Sequence, residues 1–127
     1  MGTTIFIFTF NLLIPIIIII LGFVFRNVST KINYIYGYRT ARSMRNQDTW
    51  EFANRYSGLI NIRMGIIFAI IGLVISLLTY NKSDVVQGVT LVIWVTIETI
   101  GIIATIPPVE KELKKHFDDK GNRIESK

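Results

Sequence analysis

Three long apolar stretches dominate the chain and restrict what it can fold into. They cover about residues 4–25, 59–80 and 88–107 of the 127 residues, and 50% of all residues are hydrophobic. A helix needs about 20 apolar residues to cross the hydrocarbon core of a bilayer. The sequence therefore predicts an all-α integral membrane protein with three transmembrane helices in a single domain. The first stretch is predicted to be a retained helix, because "MGTTIFIF" lacks the basic residues that begin a signal peptide.

The basic residues are distributed unevenly around these stretches. Of 14 lysines and arginines, 12 lie between the first and second stretches or after the third, Arg63 lies at the start of the second, and only Lys82 lies between the second and third. By the positive-inside rule, the two basic regions are cytoplasmic. We therefore predict a multi-pass plasma-membrane protein with its N-terminus outside, a cytoplasmic elbow at residues 26–58 and a cytoplasmic tail at 108–127. Binding to nucleic acid would not explain why the basic residues are confined to two regions, so no direct nucleic-acid partner is predicted.

The composition offers little material for catalysis or metal binding. Cysteine is absent, and His116 is the only histidine. One imidazole without a second soft ligand makes a poor metal site, so we expect it to be a solvated surface residue. An enzyme acting on lipid headgroups would need paired acids or bases near the interface, and Asp48 and Glu51 are better explained as helix-start charges. We predict no catalytic residues, no metal, no cofactor and no enzymatic activity.

Small and polar residues recur along one face of the second stretch, at spacings of three and four. At about 100° per residue they share a single stripe. Membrane helices associate where small residues allow close approach. The pattern predicts a packing seam that begins before the apolar stretch and continues through it, on one long helix or on two collinear helices. The stripe consists of Asn54, Gly58, Asn61, Gly65, Ala69, Gly72 and Ser76.

Glu98 is the one acidic residue near the middle of a predicted span. An ionised carboxylate is costly there. Asn11, in the first span, is predicted at a similar depth, and Pro15 cannot donate a backbone hydrogen bond to the Asn11 carbonyl. We predict that Asn11, Pro15 and Glu98 form one polar node between the first and third spans. The node either holds helices together or binds a proton or ligand, as in a small oligomeric transporter or channel component.

The elbow contains a cluster of arginines and hydroxyl groups. Arg39, Arg42 and Arg45 would share a broad face if that part were helical. Asn46 or Asp48 could cap the following helix, with Asp48 and Glu51 at the spacing of a capping box. Two interpretations remain open. The cluster is either an anion site built from guanidinium, Thr40, Ser43 and free backbone N–H groups, or a basic patch held near anionic lipid.

The tail has the pattern of a short amphipathic helix. Pro107 and Pro108 are predicted to end the third span, after which Val109, Leu113 and Phe117 recur every four residues. Glu110 and Lys114 have the spacing of an i,i+4 ion pair. We expect this helix to cover the cytoplasmic end of the bundle, and recruitment of a cytosolic regulator is the alternative.

The elbow also resembles a known family signature, written as "IN…GYRT..SM.N..TW..AN". The residues that carry it are Ile32, Asn33, Gly37, Tyr38, Arg39, Thr40, Ser43, Met44, Asn46, Thr49, Trp50, Ala53 and Asn54. The pattern is similar to that of the SdpI family of bacterial membrane proteins. The tail, with Leu113, Phe117, Asp118 and Gly121, also resembles the family's ending.

The resemblance implies a function in immunity. Members of the family protect a producing cell from a secreted, membrane-active peptide toxin, and some draw a transcriptional repressor to the membrane. By this resemblance the binding residues would be Asn33, Gly37, Tyr38, Arg39, Thr40, Ser43, Asn46, Trp50 and Asn54. The implied partners are membrane lipids, a peptide toxin and a cytosolic regulator, with homo-oligomers also allowed. A transporter component or a lipid-binding membrane protein is the alternative function.

Overall fold

A computed structural model describes residues 2–27, 31–33 and 35–124, and these residues contain four helices. These are α1 (Gly2–Arg26), α2 (Gln47–Thr79), α3 (Asp84–Ile103) and α4 (Ile106–His116). Three helical segments are long and apolar enough to cross a membrane. They are α1, α2 and the segment Asp84–His116, which contains α3 and α4. The predicted all-α architecture with three membrane-spanning helices is confirmed.

The second span and the residues before it form one continuous helix. α2 contains 33 residues, so the last part of the predicted elbow belongs to this helix. Asn46 is its N-cap: the Asn46 side chain accepts from Thr49 N, and the Thr49 hydroxyl accepts from Asn46 N. The predicted capping box between Asp48 and Glu51 is therefore wrong, because threonine fills the third helical position with the same reciprocal geometry.

The glycines of the α2 stripe pack directly against the backbone of α1. A Cβ atom at Gly58 would collide with Arg26 N and would lie 2.5 Å from Gly22 O. At Gly65 it would lie 3.1 Å from Pro15 O and 3.2 Å from Ile19 N. At these positions only a hydrogen lets the two backbones come so close. The stripe is thus an antiparallel α1–α2 seam.

The two ends of the bundle differ in chemistry. At one end, Gln87 of α3 donates to Thr4 Oγ1 of α1 at 3.3 Å and to the carbonyls of Tyr80 and Lys82 at 3.0 Å. We call this the turn end, because the short α2–α3 turn lies there. The opposite end carries α4 and the α1–α2 linker, residues 27–46 as far as they are described, and we call it the linker end.

The third span ends earlier than predicted. α3 stops at Ile103, the C-cap is Ala104, and Pro107 and Pro108 lie in the first turn of α4. Proline is tolerated there because the first backbone N–H groups of a helix have no intrahelical partner. The prolines therefore begin α4 and do not end α3.

α4 packs against the linker end through one apolar face. Val109, Leu113 and Phe117 are buried and form a core with Tyr38 of the linker and Ala53 of α2. This confirms the predicted amphipathic helix that covers one end of the bundle. The predicted ion pair between Glu110 and Lys114 is wrong. The Glu110 carboxylate instead accepts hydrogen bonds from Tyr38 and Thr40 of the linker.

The α1–α2 seam can be tested with two matched alanine substitutions. Gly58→Ala places a methyl group against the Arg26 and Gly22 backbone, whereas Gly88→Ala, also within a helix, meets no atom within 4 Å. We expect Gly58→Ala to destabilise the fold by about 1–3 kcal/mol through overpacking. Gly88→Ala should leave the midpoint of thermal unfolding in detergent nearly unchanged. Equal unfolding midpoints for the two variants would contradict the seam.

Candidate functional site

Asn54 attaches the linker to the side of α2. Its Oδ1 accepts from Tyr38 N at 2.8 Å, and its Nδ2 donates to Trp50 O at 2.9 Å. Asn54 and Trp50 are fully buried. A buried amide whose donor and acceptor are both used fixes the position of the chain that it binds. Asn54 therefore determines where the linker meets the helix.

Gly37 allows this close approach. Its φ of 109° lies in a region that residues with a side chain rarely adopt, and a Cβ there would lie 2.8 Å from Asn54 Oδ1 and 2.9 Å from Trp50 Cη2. Just before it, Asn33 Oδ1 accepts from Ile35 N and Tyr36 N and forms a local turn. Glycine is required at position 37 by both conformation and space.

The next residues form a compact turn around Ser43. Ser43 Oγ donates to Tyr38 O at 3.0 Å and accepts from Thr40 N at 2.8 Å. Thr49 Oγ1, from the first turn of α2, donates to Ser43 O at 3.0 Å. The Ser43 hydroxyl, one of the predicted binding groups, is thus occupied by the protein's own backbone.

Two contacts join this turn to the C-terminal region. Glu110 Oε2 of α4 accepts from Tyr38 Oη at 2.7 Å and from Thr40 Oγ1 at 3.0 Å. Asn46 Nδ2 donates to Gly121 O at 2.7 Å. Burial raises the pKa of the Tyr38 phenol well above its usual range, and the hydrogen bond to Glu110 raises it further. The linker, α2 and the tail are therefore one hydrogen-bonded unit, which we call the cap.

The geometry argues against the predicted anion site. Residues 41–46 form turns, so Arg39, Arg42 and Arg45 do not share a helical face. Arg42 pairs with Asp119 at 3.0 Å, and the free N–H groups at the start of α2 are partly satisfied by Asn46. The hydroxyl groups of the predicted anion site, and part of its helix N–H groups, therefore form hydrogen bonds within the protein.

A cavity of about 260 Å³ lies where the cap meets the membrane helices. Arg39, Thr40 and Asn61 supply polar groups, and Phe25 and Ile102 supply apolar surface. Arg39 is exposed. Among the signature residues, Arg39 is therefore the one best placed to meet a partner from outside the fold.

A second, apolar groove runs between α1 and α3 near the turn end. It has a volume of about 360 Å³. Almost all of its lining is apolar, and Phe10 and Val92 are exposed toward the surrounding membrane. The lining residues are Phe6, Phe10, Ile14, Leu91, Val92, Val95 and Thr96.

The structure corrects the predicted polar node. Asn11 Nδ2 donates to Ser76 Oγ of α2 at 2.8 Å, and neither carboxyl oxygen of Glu98 has a hydrogen-bond partner among the residues that the structure describes. At 1.5 Å per residue from Thr4 and Gln87, Asn11 lies about 10 Å along α1, whereas Glu98 lies about 16 Å along α3. Glu98 is level with Pro15 instead, one helical turn deeper, so the predicted Asn11–Glu98 hydrogen bond does not form.

Sequence reasoning missed two residues of the cap. Glu110 was assigned to Lys114 by spacing alone, although its carboxylate links the linker to α4. Thr49 was identified only as part of the signature, although its hydroxyl both caps α2 and holds Ser43 O. The sequence does contain a signal for Thr49, since an asparagine three residues before a threonine is a reciprocal cap in another form.

The attachment of the linker predicts a specific effect of Asn54→Ala. The substitution leaves the buried N–H of Tyr38 without an acceptor, at a cost of about 1–3 kcal/mol. We expect trypsin to cleave faster at Arg39, Arg42 and Arg45, as measured by mass spectrometry of timed digests. The control is Asn27→Ala, which removes an exposed amide bonded within its own chain segment. Unchanged cleavage in Asn54→Ala would contradict the attachment.

The Tyr38–Glu110 contact predicts an alkaline pH dependence. Because the folded-state pKa of Tyr38 is raised, its stabilising effect is complete below about pH 10, the ordinary tyrosine pKa, and is lost as the pH rises above it. Tyr38→Phe should remove this part of the slope of unfolding free energy against pH. Glu110→Gln should weaken α4 docking, whereas Glu112→Gln, on the same helix, should not. Identical pH slopes for wild type and Tyr38→Phe would contradict the contact.

Comparisons with known proteins agree with the signature. Residues 29–108 match the SdpI/YfhL protein family. The chain is 50% identical over 44 residues to "Uncharacterized protein YfhL" of Bacillus subtilis (strain 168), a match that covers 35% of this chain and 40% of that protein. No solved structure matches. The chain belongs to the SdpI/YfhL family and is a multi-pass membrane protein.

Proposed function

We propose that this protein is a bacterial immunity protein that protects the cell by binding a secreted, membrane-active peptide toxin within the bilayer. Membership of the SdpI/YfhL family supports the general class. The apolar groove between α1 and α3 supports this mode of action, because it offers a hydrophobic peptide a concave surface that is open to lipid. It is the observation on which the proposal rests.

The position of the groove suits a ligand that arrives from outside. Its lining spans Phe6 to Ile14 and Leu91 to Thr96, on the turn-end side of the bundle. The basic linker and α4 lie at the opposite end. With the N-terminus outside and the C-terminus in the cytoplasm, as the positive-inside rule favours, the groove lies in the outer half of the membrane. A secreted peptide would reach it without crossing the bilayer.

The cap has a supporting role in this proposal. Most of the signature side chains in the cap form hydrogen bonds with other residues of the protein, and Trp50 is fully buried. The family signature therefore preserves the fold of the linker end and, through α2, the position of α1. A change such as Trp50→Ala is expected to act through folding, at a cost of about 3–5 kcal/mol.

A cytosolic regulator would bind the outer surface of α4. Val109 and Leu113 face the bundle, whereas Lys111, Lys114 and Lys115 are exposed. This basic face lies near the membrane surface, where each cation gains about 1 kcal/mol from anionic lipid. We propose that lipid occupies this face at rest and that an acidic partner protein competes for it.

The groove can be tested with two phenylalanines on the same helix. Phe10 lines the groove, whereas Phe23 is similarly exposed but lies outside it. A toxin-sensitive bacterium expressing wild type, Phe10→Ala or Phe23→Ala, at matched membrane levels, is challenged with a panel of secreted membrane-active peptides. Phe10→Ala should reduce the protective concentration range by about tenfold, the equivalent of 1.4 kcal/mol of binding.

The outcomes separate the groove from the general function. Protection by wild type and Phe23→Ala, with reduced protection by Phe10→Ala, supports toxin binding in the groove. Equal protection by all three would overturn the groove as the binding surface. If wild type protects against none of the peptides, the immunity function itself is contradicted.

A further inference from the structure

Glu98 is buried without the contacts that a purely structural residue would have. It is 1% exposed, and neither carboxyl oxygen has a hydrogen-bond partner among the described residues. Asn11 Oδ1 is also buried and unpartnered in that part of the chain, and the Trp94 indole N–H lies near the Glu98 carboxyl group without a hydrogen bond of normal geometry. Buried polar groups are otherwise almost always paired, and an unpaired one normally indicates a ligand, an ion or a functional role.

Asn11 and Trp94 meet at the contact of three helices. A Cβ at Gly72 of α2 would lie 2.6 Å from Asn11 O and 3.4 Å from Trp94 Nε1, so α1 and α3 both reach this glycine. Glu98 follows Trp94 by four residues and lies on the same face of α3. Side chains on a helix lean toward its N-terminus, so the Glu98 carboxyl group is directed toward Trp94.

The backbone of α1 adds another oxygen at the same place. Pro15 lies inside α1 and is buried. It has no N–H to donate to the carbonyl of Asn11, four residues earlier. The Asn11 carbonyl oxygen therefore lacks its helical partner and lies against Gly72. Carboxylate, amide and freed main-chain oxygens are the donor set of intramembrane cation sites.

No protein charge compensates Glu98 at this depth. α1 carries no charge before Arg26, the chain carries none between Arg63 and Lys82, and Asp84 at the turn end is the only other acidic residue of α3. The other titratable side chain in these parts of the chain is Tyr80, the C-cap of α2, also at the turn end. A carboxylate isolated in this way must be neutralised by something that the chain does not supply.

We propose that Glu98, Asn11 and Trp94 form a binding site for one monovalent cation, H⁺ or Na⁺, inside the helix bundle. A bound proton makes Glu98 a neutral hydrogen-bond donor, and a bound Na⁺ is held by the Glu98 carboxylate and the Asn11 oxygens. In either case the cation neutralises the carboxylate, and the Trp94 N–H donates toward its oxygens. The site lies outside the apolar groove and is independent of toxin binding.

The test uses a carbodiimide that reacts with protonated carboxyl groups in apolar surroundings. Full-length protein in nanodiscs is treated with dicyclohexylcarbodiimide between about pH 5 and 9, in NaCl or in choline chloride of equal ionic strength. Labelling is located by peptide mass spectrometry. We expect labelling at Glu98 that falls with rising pH, and Glu98→Gln should lose it.

Two α1 variants distinguish a binding site from a buried carboxyl group alone. Asn11→Ala removes a proposed ligand, whereas Thr9→Ala removes an exposed hydroxyl bonded to Ile5 O within the same helix. Asn11→Ala should move the half-labelling pH by about one unit, a tenfold change in cation affinity. Thr9→Ala should leave it unchanged. Circular dichroism of each variant verifies that the fold is retained.

Each result either supports or overturns the proposal. Protection of Glu98 by Na⁺ but not choline identifies a sodium site, and pH-dependent labelling that is equal in both salts identifies a proton site. Absence of labelling at Glu98 at every pH, or a half-labelling pH that is the same in folded Asn11→Ala and wild type, would overturn the proposal. Neither of these results affects the proposed binding of toxin in the groove.

Discussion

The close backbone contact between α1 and α2 is the interaction on which the rest of the structure depends. Within a bilayer, helices gain little from burying apolar surface against one another, because lipid is equally apolar. Contact therefore relies on glycines, and Gly58, Gly65 and Gly72 bring the two backbones together at three successive levels. The same contact sets the register in which Asn11 meets Ser76 and in which the linker returns to α2.

The two ends of the bundle use different physical interactions. At the linker end, a polar cap of hydrogen bonds joins the linker, α2 and the C-terminal region. In the membrane interior the described surface is mostly apolar, and the few polar side chains lie between helices. This division explains how one short chain can combine a rigid end with a lipid-exposed groove and an isolated carboxyl group.

The sequence predicted the features that depend on one-dimensional patterns. Apolar length gave the three spans, the three-and-four spacing gave the α2 seam, and the Val109–Leu113–Phe117 repeat gave the face of α4. It failed where partners are chosen in three dimensions. Glu110 was paired with its helical neighbour, although the linker lies closer to it. Asn11 was paired with Glu98 by estimated depth, whereas the α1–α2 seam places Ser76 nearer.

The register of α1 on α2 is the central claim, and a disulfide tests it directly. The chain has no native cysteine, so Asn11→Cys with Ser76→Cys gives an unambiguous pair at a contact of 2.8 Å between side chains. The control pairs Asn11→Cys with Leu77→Cys, whose position is exposed to lipid. We predict rapid oxidative cross-linking in membranes for positions 11 and 76 and little for 11 and 77. Efficient cross-linking of 11 to 77, or none to 76, would contradict the account.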